Sequence, residues 1–300
     1  MTPKQLINPK SRSKTEKIPA KDRVNKCISH TTESPKKSGA DELKWEKSYQ
    51  NGWGKRLLVT ILLVGQVFLR ILKGKICRRH LVEQMAIVGF GSLNSVLLIA
   101  FFAGIIFTIQ TAREMMRFGA VHLVGGAFAL AFCRELAPIL TAGIVAGQVG
   151  SAFAAEIGEM QVTEQIDALY MLRTNPIDYL VVPRVVACCI MLPVLTIFAL
   201  VIGIFGGVLV ATYFYNLPAA IFLNSVRDFL ELSDLFAVVI KAFIFGGIVA
   251  VISCGWGLTT KGGSKGVSRS TTGAVVTSWV GIFMIDFLLS LAIFQEVSLK

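Results

Sequence analysis

The sequence predicts an all-α integral membrane protein, with an interfacial helix near the N-terminus followed by five transmembrane helices. Three observations carry that reading. The 300 residues are 54% hydrophobic, and with a mean hydropathy of +0.65 the chain is too apolar for an ordinary soluble domain. Several apolar runs approach or exceed the roughly 20 residues an α-helix needs to cross a bilayer. The charge is segregated: residues 1–80 hold 19 of the 30 Lys and Arg and 6 of the 19 Asp and Glu, a net of +13, against −2 for the remaining 220 residues. The overall net charge of +11 therefore belongs to the N-terminal part. A solvated basic segment lying against anionic lipid accounts for it, and no nucleic-acid partner is implied.

Residues 1–52 are rich in Lys, Ser, Thr and Pro and have too little apolar surface to fold alone, so they read as a disordered basic tail. An organelle transit peptide is the other reading, and the six acids in this stretch count against it. Residues 53–85 read as an interfacial amphipathic helix. The apolar run Leu57–Leu72 is short and contains Arg70; Trp53, Lys55 and Arg56 flank one end, and Lys73, Lys75, Arg78 and Arg79 the other. Such flanks suit a helix lying in the headgroup region, with a sixth transmembrane helix as the alternative.

Residues 86–298 read as the membrane domain. Its five spans are expected over 92–111, 121–149, 185–215, 235–256 and 272–294. Gly143-x-x-x-Gly147 and Gly203-x-x-x-Gly207 are small-residue patterns that let helices approach closely. With the N-terminus inside, the basic tail, Arg173, Arg184, Lys261, Lys265 and Arg269 fall inside, while Arg113, Arg117, Arg227 and Lys300 fall outside. This bias sets an N-in, C-out orientation.

Between the second and third spans the chain returns to water with an acidic helix, expected over residues 155–173. On one continuous helix, Glu156, Glu159, Thr163 and Asp167 share a narrow arc with Glu164 at its edge, and Val162, Ile166 and Leu169 lie opposite. In the N-in orientation this two-faced helix lies on the cytosolic or stromal side and offers a face to a partner.

Arg134, Glu135 and Lys241 sit within spans, and Asp286 is a fourth ionisable group there. An unpaired charge at the bilayer centre costs roughly 2.5–3.5 kcal/mol on insertion scales, so these groups face a cavity or a protein interior. Arg134 and Glu135 point about 100° apart on a helix and are not simple mutual partners. Pro138 denies the Arg134 carbonyl its helical donor and should kink the span there. Two readings stand side by side: a place for a polar headgroup, or charges satisfied between helices. For Asp286, a hydrogen bond to a neighbouring helix is preferred over a relay role.

The sequence contains no H-E-x-x-H, no G-x-S-x-G and no Ser/His/Asp arrangement. The loop Thr259-Thr-Lys-Gly-Gly-Ser-Lys-Gly-Val-Ser lacks the spacing of a nucleotide-binding loop, so ATP is not expected to bind here. The six cysteines form no C-x-x-C pair, and the three histidines have no metal-ligand spacing. Neither an enzyme nor a metal or other cofactor is expected.

The segments Arg134-Glu-Leu-Ala-Pro-Ile-Leu-Thr-Ala, Ala146-Gly-Gln-Val-Gly-Ser-Ala-Phe-Ala-Ala-Glu-Ile-Gly-Glu-Met, Val162-Thr-Glu-Gln-Ile-Asp-Ala-Leu and Asn175-Pro-Ile-Asp-Tyr-Leu-Val-Val-Pro-Arg resemble the MlaE-type permease family. The resemblance covers about Arg56 to Phe294. Gly65-Gln-Val-Phe-Leu-Arg-Ile-Leu-Lys-Gly-Lys-Ile and Val251-Ile-Ser-Cys-Gly-Trp-Gly-Leu-Thr-Thr-Lys-Gly-Gly-Ser-Lys-Gly-Val are most similar to its cyanobacterial and chloroplast-envelope branch.

The resemblance implies the permease subunit of an ATP-binding-cassette (ABC) transporter that moves phospholipid, driven by a separate ATPase. It implies a homodimer, an MCE-domain substrate-binding partner, and a setting in the bacterial inner membrane or the chloroplast inner envelope. It assigns Arg134, Glu135 and Lys241 to a lipid cavity, and the acidic helix, with Glu159, Thr163, Glu164 and Asp167, to ATPase coupling. Gln148 departs from the Ala-Gly-Arg that family members often carry there, which puts any role of that arginine in doubt. The competing reading is an ion- or proton-coupled secondary transporter or channel that uses Arg134, Glu135 and Asp286.

Overall fold

The computed structural model describes residues 60, 62–67, 69–70 and 78–295, so the expected basic tail and most of the expected interfacial helix lie outside the described residues. Every regular element among the described residues is helical. Five elements are long and apolar enough to cross a membrane: α1 (Arg78–Arg117), α2 (Val121–Val162), α4 (Ile177–Tyr215), α6 (Leu232–Leu258) and α7 (Gly263–Gln295). Two short helices connect them at opposite ends of the bundle, α3 (Gln165–Met171) and α5 (Ala219–Phe229).

The helices run past the apolar windows that predict them. A charged or polar residue ends a hydropathy window but does not end a helix, because its backbone amide still bonds within the turn. Thus α1 begins at Arg78 and continues through residue 85, where the sequence reading divides interfacial helix from membrane domain. Its outer face is apolar and exposed at Leu98, Ile99, Phe102 and Ile106, as is that of α7 at Val280, Phe283, Met284 and Phe287. Acyl chains, rather than water, suit such faces.

Within the bundle, α1 and α4 cross where both are small. A Cβ on Gly104 would land on the carbonyl of Gly203, and one on Gly207 would come within 2.7 Å of Thr108 Oγ1. The Gly203-x-x-x-Gly207 pattern therefore works as a close-approach seam. In the other pattern only Gly143 does, against Trp279; Gly147 has open space beside it.

Two cores result. Toward the α3 end, Phe153, Ile157, Ile166, Leu180, Val181 and Val249 are buried together with Leu63 and Val67 of the N-terminal segment. Toward the α5 end, Phe128 stacks on Phe132 at 5.2 Å and meets Phe222 of α5 at 5.9 Å. Cys133, Cys188, Cys189 and Cys254 are free thiols.

Helix α2 is not uniform. It opens with a 3-10 turn (Val121–Leu123) and contains two π-turns, Phe132–Leu136 and Ala146–Gly150. Such bulges relax the backbone register where ordinary helical bonding is interrupted, and they concentrate at functional sites. The first stands directly before Pro138. There the Ala137 amide donates to the Phe132 carbonyl, five residues back, which lets the helix pass the proline that owns no amide.

Candidate functional site

The π-turn before Pro138 places Arg134 and Glu135 on diverging bearings, and α6 and α7 answer each separately. The Arg134 guanidinium reaches toward the N-terminus of α6, where Nε donates to Asp234 Oδ1 at 2.8 Å and Nη2 lies 2.7 Å from the same oxygen. Asp234 is buried. It also accepts from the Glu231 amide as part of a capping box, so one carboxylate both caps α6 and holds Arg134.

Glu135 turns the other way. Lys241 Nζ of α6 lies 3.1 Å from Glu135 Oε1, 3.0 Å from Asp286 Oδ1 of α7 and 2.8 Å from Ser290 Oγ. It also donates to the Arg134 carbonyl at 3.0 Å. That carbonyl is the one Pro138 leaves without a helical donor. Ser290 in turn donates to Glu135 Oε1 at 3.0 Å. A desolvated ammonium is tolerated only with its donors matched to acceptors and its charge opposed. Here two carboxylates, a carbonyl and a hydroxyl provide that setting.

Exposure separates the roles. The Lys241 side chain is 1% exposed, whereas Glu135 is 39% exposed and Arg134 33%. Lys241 is thus an internal anchor, and Arg134 and Glu135 present one charge of each sign at its edge. Lys241 lies nine positions after Leu232, about 14 Å along the helix axis. The cluster therefore sits toward the α5 end rather than at mid-span.

Of the four ionisable span residues, the structure joins Glu135, Lys241 and Asp286 directly, and Arg134 through its carbonyl. Asp234 and Ser290 were missed. The acid spacing Glu231-x-x-Asp234 at the start of a span is a capping signal that sequence reading had available; Ser290 offers none. Gln148, in the second π-turn, carries no charge and donates to Ser95 Oγ of α1 at 2.7 Å.

At the far end, the single helix expected over 155–173 is two. Helix α2 ends at Val162, Glu164 takes the left-handed conformation with φ 60°, and α3 starts at Gln165. Arg173 closes the other end of α3, also left-handed at φ 55°. Glu159, Thr163, Glu164 and Asp167 are all exposed, and Ile166 is buried in the body. Glu156, on the same helix as Glu159 and also exposed, pairs with Arg184 at 2.7 Å. Met171 and Leu172 are exposed beyond the acids, an apolar tip that the helical wheel did not anticipate.

The family model described as Permease MlaE matches residues 81–292. The chain is 56% identical over 243 residues, 81% of its length and 92% of the relative's, to a probable ABC transporter permease protein of Synechocystis sp.. It is 46% identical over 265 residues to the chloroplastic protein TRIGALACTOSYLDIACYLGLYCEROL 1 of Arabidopsis thaliana, covering 88% of this chain and 76% of that one. A probable ABC transporter permease protein of Rickettsia typhi is 41% identical over 225 residues, 75% of this chain and 87% of its own.

Proposed function

The chain belongs to the MlaE permease family, and from that premise we propose that it is an ABC transporter permease that moves phospholipid, driven by a separate ATPase. The observation that carries the lipid reading is the half-open pair Arg134 and Glu135, set on a buried lysine inside an otherwise apolar bundle. Arg134 attracts an anionic headgroup, Glu135 limits how far it penetrates, and the apolar walls accept acyl chains. Lys241 contributes from behind by holding Glu135 and the Arg134 backbone in place. One relative carries a glycosylated diacylglycerol in its name, which agrees with a glycerolipid cargo.

The exposed acids Glu159, Thr163, Glu164 and Asp167, with α3, form the docking face for the ATPase. In this reading the α3 end lies on the ATP-containing side, as the lysine and arginine bias of the sequence requires. A second copy of the chain completes the cavity, and an MCE-domain protein exchanges lipid with it. The setting is a bacterial inner membrane or the chloroplast inner envelope, the two settings suggested by its cyanobacterial and chloroplastic relatives.

Two variants test this. Arg134→Ala should lower the phospholipid that co-purifies with the complex, and unchanged lipid content contradicts the headgroup role. Replacing Glu159, Glu164 and Asp167 together with Ala should abolish ATPase co-purification while the permease still inserts; full retention of the ATPase contradicts docking.

One observation favours a second reading. Lys241 links Glu135 to Asp286, a chain of groups that an ion- or proton-coupled transporter would use. That reading requires gradient-driven transport without an ATPase.

A further inference from the structure

The elbow between α2 and α4 is closed at its base by one ion pair between residues 28 positions apart. Arg184 Nη2 lies 2.7 Å from Glu156 Oε2, with the arginine side chain 8% exposed and the glutamate 50%. The guanidinium also stands over the Phe153 ring, 5.1 Å from its centroid, and its Nη1 is buried without a hydrogen-bond partner. A buried guanidinium with an unanswered donor depends on the charge that opposes it. Glu156 supplies that charge.

The surroundings decide what the pair connects. A Cβ on Gly158 would meet Thr260 Oγ1 at 2.9 Å, and one on Gly257 would meet Ile157 Cβ at 2.8 Å. The end of α2 is therefore seated on the turn between α6 and α7. Arg184 stands near the start of α4, after Pro183. Between the two lies α3, bounded on both sides by the left-handed residues Glu164 and Arg173 and held to the body through Ile166 and Leu169. These are the features of a hinged segment: a few terminal residues with unusual backbone angles at each end of a short rigid element.

We propose that Glu156 and Arg184 are positioning residues that tie the end of α2 to the start of α4, so that displacement of α3 moves both helices as a unit. The inference rests on the reading of α3 as the ATPase dock. Without the pair, α3 turns about Glu164 and Arg173 and its motion is absorbed locally. With it, the force reaches α2, which carries Arg134 and Glu135, and α4, which crosses α1 at the Gly104–Gly203 seam.

Glu156 is the residue to change, because it is the half-exposed member of the pair and Arg184 the buried one. The complex with its ATPase is reconstituted in phospholipid vesicles carrying a fluorescent phospholipid, and lipid moved per ATP hydrolysed is measured. Glu156→Ala should keep the ATPase bound and hydrolysing but lower lipid moved per ATP at least fivefold. Glu156→Gln, which can still accept from Arg184, should fall between it and the unaltered protein. Should Glu156→Ala fail to accumulate, Glu156→Gln carries the test alone, with a twofold fall expected.

An unchanged ratio in the variants overturns the proposal. So does loss of the ATPase from the Glu156 variants, which makes Glu156 a docking contact instead. Retention of the ATPase by the Glu159, Glu164 and Asp167 triple variant contradicts the docking reading itself, independently of what Glu156 does.

Discussion

Lys241 Nζ donates to the main-chain carbonyl of Arg134 at 3.0 Å. A side chain from α6 thereby fills the bond that Pro138 removes from α2, and the same ammonium opposes the charges of Glu135 and Asp286. The irregular backbone and the buried charge stabilise each other: the π-turn frees an acceptor, and the acceptor helps hold a lysine that lipid would not tolerate alone.

Lys241→Met should therefore destabilise the protein by about 3–5 kcal/mol, the cost of stranding buried charges. Adding Asp286→Asn should recover part of that loss, because one stranded carboxylate is then neutral. Thermal unfolding of the four members of this cycle in detergent checks the coupling, and strict additivity would show that Lys241 and Asp286 act independently.

Asp234 competes with any anionic headgroup for Arg134. Asp234→Asn keeps a side chain able to accept from the Glu231 amide and removes the opposing charge. The released Arg134 should hold anionic lipid more tightly by about 1 kcal/mol, the scale of a part-exposed ion pair. The retained phospholipid should rise several-fold, in contrast to the fall expected for Arg134→Ala. Equal lipid content in the two variants would place the cargo elsewhere.

Gly104 at the α1–α4 seam and Gly147 in α2 differ in the space beside them. Gly104→Ala should cost about 1–3 kcal/mol, as for other overpacked interiors, because its methyl group would strike the Gly203 carbonyl. Gly147→Ala has open space within the protomer and should leave stability unchanged or raise it by up to about 1 kcal/mol through helix propensity. Unfolding midpoints of the two purified variants decide the matter.

Much of the architecture was legible because its cause is one-dimensional. Apolar length reports a membrane span directly, so five spans could be counted from hydropathy. The irregular backbone before Pro138 follows from one missing amide. What escaped the sequence depends on partners distant in the chain. Ser290 meets Glu135 across 155 positions, and no pattern near either residue announces it. The acidic helix was misjudged for a different reason. A helical wheel assumes unbroken φ and ψ, whereas Glu164 leaves the helical region and sets Asp167 on a separate helix from Glu156 and Glu159. Asp234, by contrast, stood in a readable capping box.

Reconstitution of the chain with the proposed ATPase, in vesicles holding a fluorescent phospholipid, is the decisive measurement for ATP-driven lipid movement. Lipid movement should require both the ATPase and ATP hydrolysis, and should be lost in the Glu159, Glu164 and Asp167 triple variant. Transport sustained by an ion or proton gradient, with the ATPase absent, would contradict it.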